Sequence, residues 1–138
     1  MSVRFADTNV LVYAISDDRD ERDKAQRANR ILAAKDVGLS VQVLQEFYVQ
    51  ATRPTRPGRL NHERAAGLVE SFRRFPVLPL TAELVDAAMA TRQHFQISYW
   101  DAAIIEAARS LGCKLVLSED LADGQDYDGV RVENPFRH

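Results

Sequence analysis

Near its start the chain reads Val3-Arg4-Phe5-Ala6-Asp7-Thr8-Asn9-Val10-Leu11-Val12-Tyr13-Ala14, in which two short apolar runs meet at an acidic residue. The first run, residues 3–6, predicts a buried strand, and residues 8–14 predict a short helix capped by Asp7, Thr8 or Asn9. A carboxylate between two apolar runs is expected to be partly enclosed, and an enclosed carboxylate needs a partner. This stretch therefore indicates an α/β fold with Asp7 at the carboxyl end of the first strand.

The alternation of strand and helix continues along the rest of the chain. Apolar spacing and capping residues predict helices over 21–35, 41–52, 61–75, 81–95 and 98–111. Short apolar runs predict strands over 36–40, 77–80, 115–117 and 130–132, with loops over 16–23, 53–59 and 118–128. This alternation is typical of a parallel sheet covered by helices on both faces. We predict a single three-layer α/β domain over 1–138, with a short, mostly parallel central sheet flanked by helices.

The bulk composition narrows the class of protein. A length of 138 residues suits one domain, and a formal charge of −2 does not by itself mark a nucleic-acid-binding protein. Cys113 is the only cysteine, which excludes an internal disulfide and predicts a buried thiol in a reducing compartment. No apolar run is long enough to cross a membrane, and the first residues read as a strand rather than a signal peptide. We expect a cytoplasmic protein without a membrane partner.

Four acidic residues stand where a strand passes into a helix or a loop, namely Asp7, Glu46, Asp101 and Asp120. Ligands of open α/β sheets bind beyond the carboxyl ends of the strands, so these side chains are expected to meet along one edge. The helix over 98–111 descends from that edge and the strand over 115–117 returns to it. Four carboxylates in one pocket repel one another, and a hard divalent cation relieves the repulsion. The pattern therefore predicts a metal-dependent phosphoryl-transfer site.

Three of these acids also have a purely structural explanation. Asp101 follows Ser98 by three residues, as in a capping box. Glu46 lies on a helix that needs exposed charge, and Asp120 lies in an acidic loop that water can solvate. The metal-site hypothesis depends on all four acids meeting on one edge, so no single acid carries it alone.

Five segments resemble, in the same order, the motifs of PIN-domain nucleases. They read Phe5-Ala6-Asp7-Thr8-Asn9-Val10-Leu11-Val12-Tyr13, Ser40-Val41-Gln42-Val43-Leu44-Gln45-Glu46-Phe47, Ser98-Tyr99-Trp100-Asp101-Ala102, Leu117-Ser118-Glu119-Asp120-Leu121 and Val132-Glu133-Asn134-Pro135-Phe136. The resemblance spans nearly the whole chain. In its short length the chain resembles members of the VapC branch, which are the toxins of bacterial and archaeal toxin–antitoxin pairs.

This resemblance implies a homodimeric endoribonuclease that uses Mg²⁺, or Mn²⁺ in its place, acts on RNA and is blocked by a small cognate antitoxin. The acids that it implies for catalysis and metal binding are Asp7, Glu46, Asp101 and Asp120. Among these, Asp7 and Asp101 match the positions that hold the metal most directly. Asn9 and Ser118 match polar positions that orient an acid or a water, and Asp123 is a candidate extension of the metal-binding edge.

Basic and aromatic side chains suggest contacts beyond the acids. Arg53, Arg56 and Arg59 lie in the most basic stretch of the chain. They could contact RNA, pair with acids of an antitoxin, or be solvated. Tyr99 and Trp100 could stack on a base, although Trp100 is expected to pack in the core.

Other functional classes fit the sequence less well. A phosphoacceptor receiver domain needs a second acid beside the first strand and a lysine after the last, and a haloacid-dehalogenase-type phosphatase needs an aspartate where Asn9 stands. The histidines lie near none of the motifs, which disfavours a metal-independent ribonuclease. A binding module that grips RNA or a protein partner without cleavage remains the alternative, although a complete set of acids argues against it.

Overall fold

A computed structural model describes residues 3–137 of the chain. Its strands are β1 (Arg4–Ala6), β2 (Val37–Ser40), β3 (Val77–Leu78), β4 (Leu115–Leu117), β5 (Asp126–Tyr127) and β6 (Val130–Glu133). Its helices are α1 (Thr8–Ala14), α2 (Arg22–Ala33), α3 (Val41–Thr52), α4 (His62–Phe72), α5 (Ala82–Phe95) and α6 (Tyr99–Ser110). None of these helices combines the length and the apolar character that a membrane span requires.

The strands form one sheet in the order β3-β2-β1-β4-β6-β5. β1 runs parallel to both of its neighbours, with Phe5 opposite Gly38 of β2 and Val116 of β4. β2 and β3 extend the sheet on one side of β1, and β4, β6 and β5 extend it on the other side. The carboxyl ends of β1 and β4 therefore flank the crevice in which open α/β sheets bind ligands.

The predicted α/β fold with a mostly parallel sheet is confirmed, with one addition. The predicted loop over 118–128 was wrong at its end, because Asp126–Tyr127 forms β5 and pairs antiparallel with β6. Asp128 and Gly129 connect the two strands with φ values of 53° and 96°. Positive φ at both turn residues is the geometry that Asp-Gly favours in tight hairpins. The acidic composition of the segment concealed this signal.

Three further boundaries differ from the prediction. The segment predicted as a loop over 16–23 contains a 3-10 turn, Arg19–Glu21, and α2 ends at Ala33 because Lys35 adopts a positive φ of 64°. Helix α4 ends at Phe72, three residues early, in a turn closed by a bond from Phe75 N to Phe72 O. The strand predicted over 77–80 is only Val77–Leu78, since Pro79 has no N–H to donate to a neighbouring strand.

The core lies on both faces of the sheet, and two sequence predictions can be compared with it. Phe5, Phe47 and Ile105 are fully buried, and Cys113 is buried as predicted. The prediction that Trp100 packs in the core was wrong, because 65% of its surface is exposed. Helix α6 is continuously buried only over residues 102–108, so its first turn stands at the surface.

Candidate active site

Two neighbouring strand ends form the centre of the candidate site. Asp7 follows β1 directly, and its backbone N–H donates to the carbonyl oxygen of Leu117 at the end of β4 (3.0 Å). The pairing of the two strands therefore continues one residue beyond β1. This bond places Asp7 beside the turn that follows β4, which begins at Ser118.

Asp7 is nearly enclosed, with 8% of its surface exposed. Its Oδ1 accepts a hydrogen bond from Thr8 N and its Oδ2 accepts one from Ser118 Oγ, each at 2.7 Å. Burial raises the pKa of Asp7 to about 6; the two hydrogen bonds oppose the shift, and the negative charges of Glu46 and Asp120 add to it. A carboxylate whose charged form is disfavoured in this way would be stabilised by a nearby cation.

Ser118 and Asn9 organise the turn after β4. The buried Oγ of Ser118 donates to Asp7 and accepts from the backbone N–H groups of Asp120 (3.1 Å) and Leu121 (3.3 Å). Asn9 Nδ2 donates to Asp120 Oδ2 (3.2 Å), and Asn9 Oδ1 accepts from the backbone N–H of Glu119 (3.2 Å). Both polar side chains therefore lie in direct contact with acids of the site.

Glu46 approaches the same centre from α3. Its Oε1 accepts hydrogen bonds from Thr8 Oγ1 (3.2 Å) and from Gln42 Nε2 (3.3 Å). Thr8 is thus shared, because its backbone N–H binds Asp7 while its hydroxyl binds Glu46. Glu46 is half-buried, and its charge is one of those that raise the pKa of Asp7.

Asp101 lies in the first turn of α6, where its backbone N–H donates to Ser98 Oγ (3.0 Å). The capping interaction is therefore present. Burial raises the pKa of Asp101, a hydrogen bond with Ser98 opposes the shift, and the charge of Asp120 adds to it. Asp120 is thus close enough to influence both Asp7 and Asp101. The structure brings all four predicted acids into one electrostatic neighbourhood, from the enclosed Asp7 to the exposed Asp120.

We refer to Asp7, Glu46, Asp101 and Asp120 as the four acids, and no basic side chain pairs with them in the part of the chain that the structure describes. Five ion pairs occur within residues 3–137, and none of them involves one of the four acids. The adjacent Glu119 behaves differently. It pairs with Lys24 Nζ at 2.6 Å and accepts a hydrogen bond from Tyr13. Burial acts to raise the pKa of Glu119, but these partners outweigh it and leave the pKa below its usual value.

The four acids present a set of ligands that suits magnesium. Within the described part of the chain, no group of three or more His, Cys, Asp or Glu side chains is arranged to hold one ion directly. Magnesium needs fewer protein ligands, because it keeps several waters and is commonly bound by one or two carboxylates. The donor atoms available here are carboxylate oxygens with no cationic partner, and the charged form of Asp7 is disfavoured in the absence of one. The residues therefore fit a hydrated Mg²⁺ or Mn²⁺ ion.

The remaining predicted residues lie away from this centre or have other partners. Asp123 accepts from Asn134 N and from Arg137 Nη1, each at 2.8 Å, and these bonds hold the pKa of Asp123 below its usual range. Arg56 lines a cavity of 310 Å³ together with Asp17, Asp18 and Glu21. Its loop neighbours Arg53 and Arg59 are exposed.

Sequence reasoning overlooked two contributors to the site. Thr8 bridges Asp7 and Glu46, and its place directly after the first acid was a signal that could have identified it. Lys24 and Tyr13 anchor Glu119 in the turn after β4. Nothing in the sequence linked Lys24 to a partner 95 residues away.

The family of the chain follows from comparison with known proteins. The model of the PIN domain matches residues 4–122, a range that contains all four acids. The chain therefore belongs to the PIN-domain family. No significant match is found among curated protein sequences.

Solved structures share the fold across nearly the whole chain. A toxin–antitoxin complex from Klebsiella pneumoniae is 18% identical, with a TM-score of 0.69 over 98% of this chain and 99% of that chain. A DNA-bound VapBC complex from Salmonella typhimurium is 22% identical, with a TM-score of 0.67 and coverages of 98% and 99%. VapC20 of Mycobacterium tuberculosis, a toxin that cleaves the sarcin–ricin loop, is 23% identical, with a TM-score of 0.63 and coverages of 85% and 91%.

Proposed function

We propose that this protein is a Mg²⁺- or Mn²⁺-dependent endoribonuclease that acts as the toxin of a toxin–antitoxin pair. The observation that carries the proposal is the gathering of four acids without a basic partner at the crevice between β1 and β4. Burial and neighbouring negative charge both disfavour the charged forms of Asp7 and Asp101, so the arrangement is unfavourable without a cation. Carboxylates with perturbed pKa values are typical of functional sites, and a bound cation would stabilise their charged forms.

The four acids divide by their surroundings. Asp7 and Asp101 are the proposed direct ligands, and Glu46 and Asp120 complete the pocket through bound water. When bound, the ion would lower the pKa of an attacking water and polarise a phosphoryl oxygen of the substrate. The chain's own polar groups hold the ligands in place: Ser118 and Thr8 fix both oxygens of Asp7, and Asn9 fixes Oδ2 of Asp120.

The toxin assignment rests on the family and on the fold. Several structures with the same fold are complexes of a toxin with its antitoxin. Another structure with this fold is VapC20, a toxin that cleaves the sarcin–ricin loop. By extension we propose a small cognate antitoxin as the partner of this chain and a homodimer as its functional state.

The nuclease proposal is tested by incubating purified protein with single-stranded RNA in EDTA, Mg²⁺ or Mn²⁺. We expect cleavage only with a divalent ion, and its loss in Asp7→Asn and Asp101→Asn. Asp36→Asn is a matched control, because Asp36 is an aspartate paired with Arg4 at the start of β1, away from the site. RNA that is bound but never cleaved would favour the non-catalytic binding module instead.

The toxin proposal has a separate test in cells. Induced expression of the wild-type chain should arrest growth, and expression of Asp7→Asn should not. Co-expression of the small open reading frame beside the gene should restore growth. A nuclease active in vitro whose induction leaves growth unchanged would contradict the toxin role while leaving the enzyme assignment intact.

A further inference from the structure

Trp100 is an exposed aromatic side chain in the first turn of α6. Its surface is 65% accessible, more than that of any other large hydrophobic residue within residues 3–137. It is also the only tryptophan in the chain. Large aromatic side chains bury extensive apolar area when they find a partner, so an indole left in water is a candidate contact for a ligand.

The position of Trp100 connects it with the four acids. It precedes Asp101 directly in the first turn of α6, and the α-carbons of consecutive residues are about 3.8 Å apart. Trp100 therefore lies one residue from a proposed metal ligand, in the same exposed helical turn. A nucleic acid whose phosphodiester group reaches Asp101 would bring its attached bases near this turn.

The indole has a firm support. The ring of Tyr99 contacts it edge to face, with centroids 5.0 Å apart and an interplanar angle of 85°. Tyr99 is itself half-buried against the small cluster formed by Ala88, Ala102 and Ala103. Because the supporting ring is anchored in this cluster, Trp100 loses less conformational freedom on binding than an isolated surface side chain would.

Electrostatics explain why a neutral contact is useful here. The four acids have no basic partner, and their charge repels the phosphates of a nucleic acid until cations intervene. Stacking of a base on an aromatic ring needs no opposite charge, and it contributes substantially to the binding of single strands. Stacking on the indole is therefore an interaction with the substrate that the negative charge of the four acids does not weaken.

The geometry points to Trp100 as a stacking platform for an unpaired nucleobase adjacent to the phosphate that is cleaved. This inference rests on the proposed nuclease function and specifies how its single-stranded substrate is held. Tyr99 is the positioning residue that supports the indole.

The single tryptophan makes the inference directly measurable. A fluorescein-labelled 12-nucleotide single-stranded RNA is titrated with wild-type protein in EDTA, and anisotropy reports binding. A parallel titration with unlabelled RNA records the emission of Trp100. We expect the emission to change with the same Kd as the anisotropy, and an abasic oligonucleotide of equal length to leave it unchanged.

Variants separate stacking from a structural role. Trp100→Ala should weaken RNA binding about 5- to 100-fold, and Trp100→Phe should restore most of the affinity. The dependence of affinity on salt should keep its slope in Trp100→Ala, because that slope counts phosphate contacts and not stacked bases. Val49→Ala, which truncates an exposed apolar residue on α3, is the matched control and should bind as wild type does.

Three results would overturn the inference. In the first, RNA binds by anisotropy while the emission of Trp100 stays constant and Trp100→Ala binds normally; if Mg²⁺-dependent cleavage persists, the nuclease proposal survives and only the stacking role fails. In the second, the emission responds to protein dilution and not to RNA, which assigns the indole to a contact between copies of the chain. In the third, the protein binds no single-stranded RNA.

Discussion

Glu119 and Asp120 are neighbours in the turn after β4, yet their carboxylates have opposite surroundings. Glu119 is bound by Lys24 and Tyr13, which keep its pKa low. Asp120 accepts a hydrogen bond from Asn9, and its charge acts on Asp7 and Asp101, whose pKa values are raised. The same contrast holds between the four other ion pairs and the four acids.

This difference distinguishes acids that stabilise the fold from acids that bind a ligand. A paired acid contributes to stability in the isolated chain, and its removal is expected to weaken the fold. An acid that lacks a cation and is partly buried opposes folding in its charged form, so it is retained for another reason. Neutralising substitutions of the two kinds of acid should therefore have opposite effects.

The largest expected effect is on catalysis. Asp7→Asn should reduce the rate of metal-dependent RNA cleavage by more than about 100-fold, because loss of a direct ligand exceeds the roughly 10- to 100-fold effect of changing groups around a metal site. Glu119→Gln should stay within about threefold of the wild type. Single-turnover cleavage rates of the two purified variants make the comparison. Equal losses of cleavage rate in the two variants would contradict the proposed difference between Asp7 and Glu119.

The next effect is the dependence of stability on pH without metal. The pKa of Asp7 is raised from 3.8 to about 6, so the folded state binds more protons than the unfolded state in this window. The contribution of Asp7 to stability is present below about pH 4 and is lost as the pH rises through 6. Each pKa unit is about 1.4 kcal/mol, so the loss is about 3 kcal/mol at most. Denaturant unfolding in EDTA should show this decline in the wild type and a flatter profile in Asp7→Asn.

A smaller effect is the stabilisation of the free protein by metal. Mg²⁺ at about five times its Kd should add about 1 kcal/mol to the free energy of unfolding, or roughly 4 °C to the Tm of a domain of this size. Asp7→Asn should show little of this rise, and Glu119→Gln should keep it. Thermal melts in EDTA and in Mg²⁺ provide the measurement. A rise of equal size in all three proteins would mean that the ion acts elsewhere.

The smallest expected effect concerns the fold alone. Glu119→Gln should lower the free energy of unfolding by about 0.5–1 kcal/mol, because it removes an ion pair that is partly exposed to solvent. At pH 7 without metal, Asp7→Asn should instead leave stability unchanged or raise it. Chemical denaturation of both variants, measured side by side, would refute the contrast if each lost stability by the same amount.

The alternation of apolar runs with capped helices was enough to predict the α/β fold and to locate Asp7, Asp101 and Asp120 near strand or helix ends, with Glu46 inside a helix. It was not enough to predict which strands are neighbours. That β1 lies beside β4 is decided by the packing of the whole sheet, and this adjacency unites Asp7 with Ser118. Local patterns carry no information on contacts between residues 111 positions apart.

Two errors show where residue type misleads. Trp100, one residue before Asp101, was expected in the core, but the first turn of α6 lies beyond the packed layer. β5 was hidden in an acidic segment, although Asp128-Gly129 is a strong hairpin signal. The position of Trp100 in its helix decides its exposure. The acidic composition of the segment before β6 masked the turn formed by Asp128-Gly129.

The bond from Asp7 N to Leu117 O joins the beginning of the chain to its last quarter. During translation, the first strand leaves the ribosome long before β4 and the turn that follows it have been synthesised. A nascent polypeptide shorter than about 120 residues thus has no assembled pocket, whatever ions surround it. Fragments that end before Leu117 lack the acceptor of this bond, so in them nothing joins Asp7 to the turn after β4.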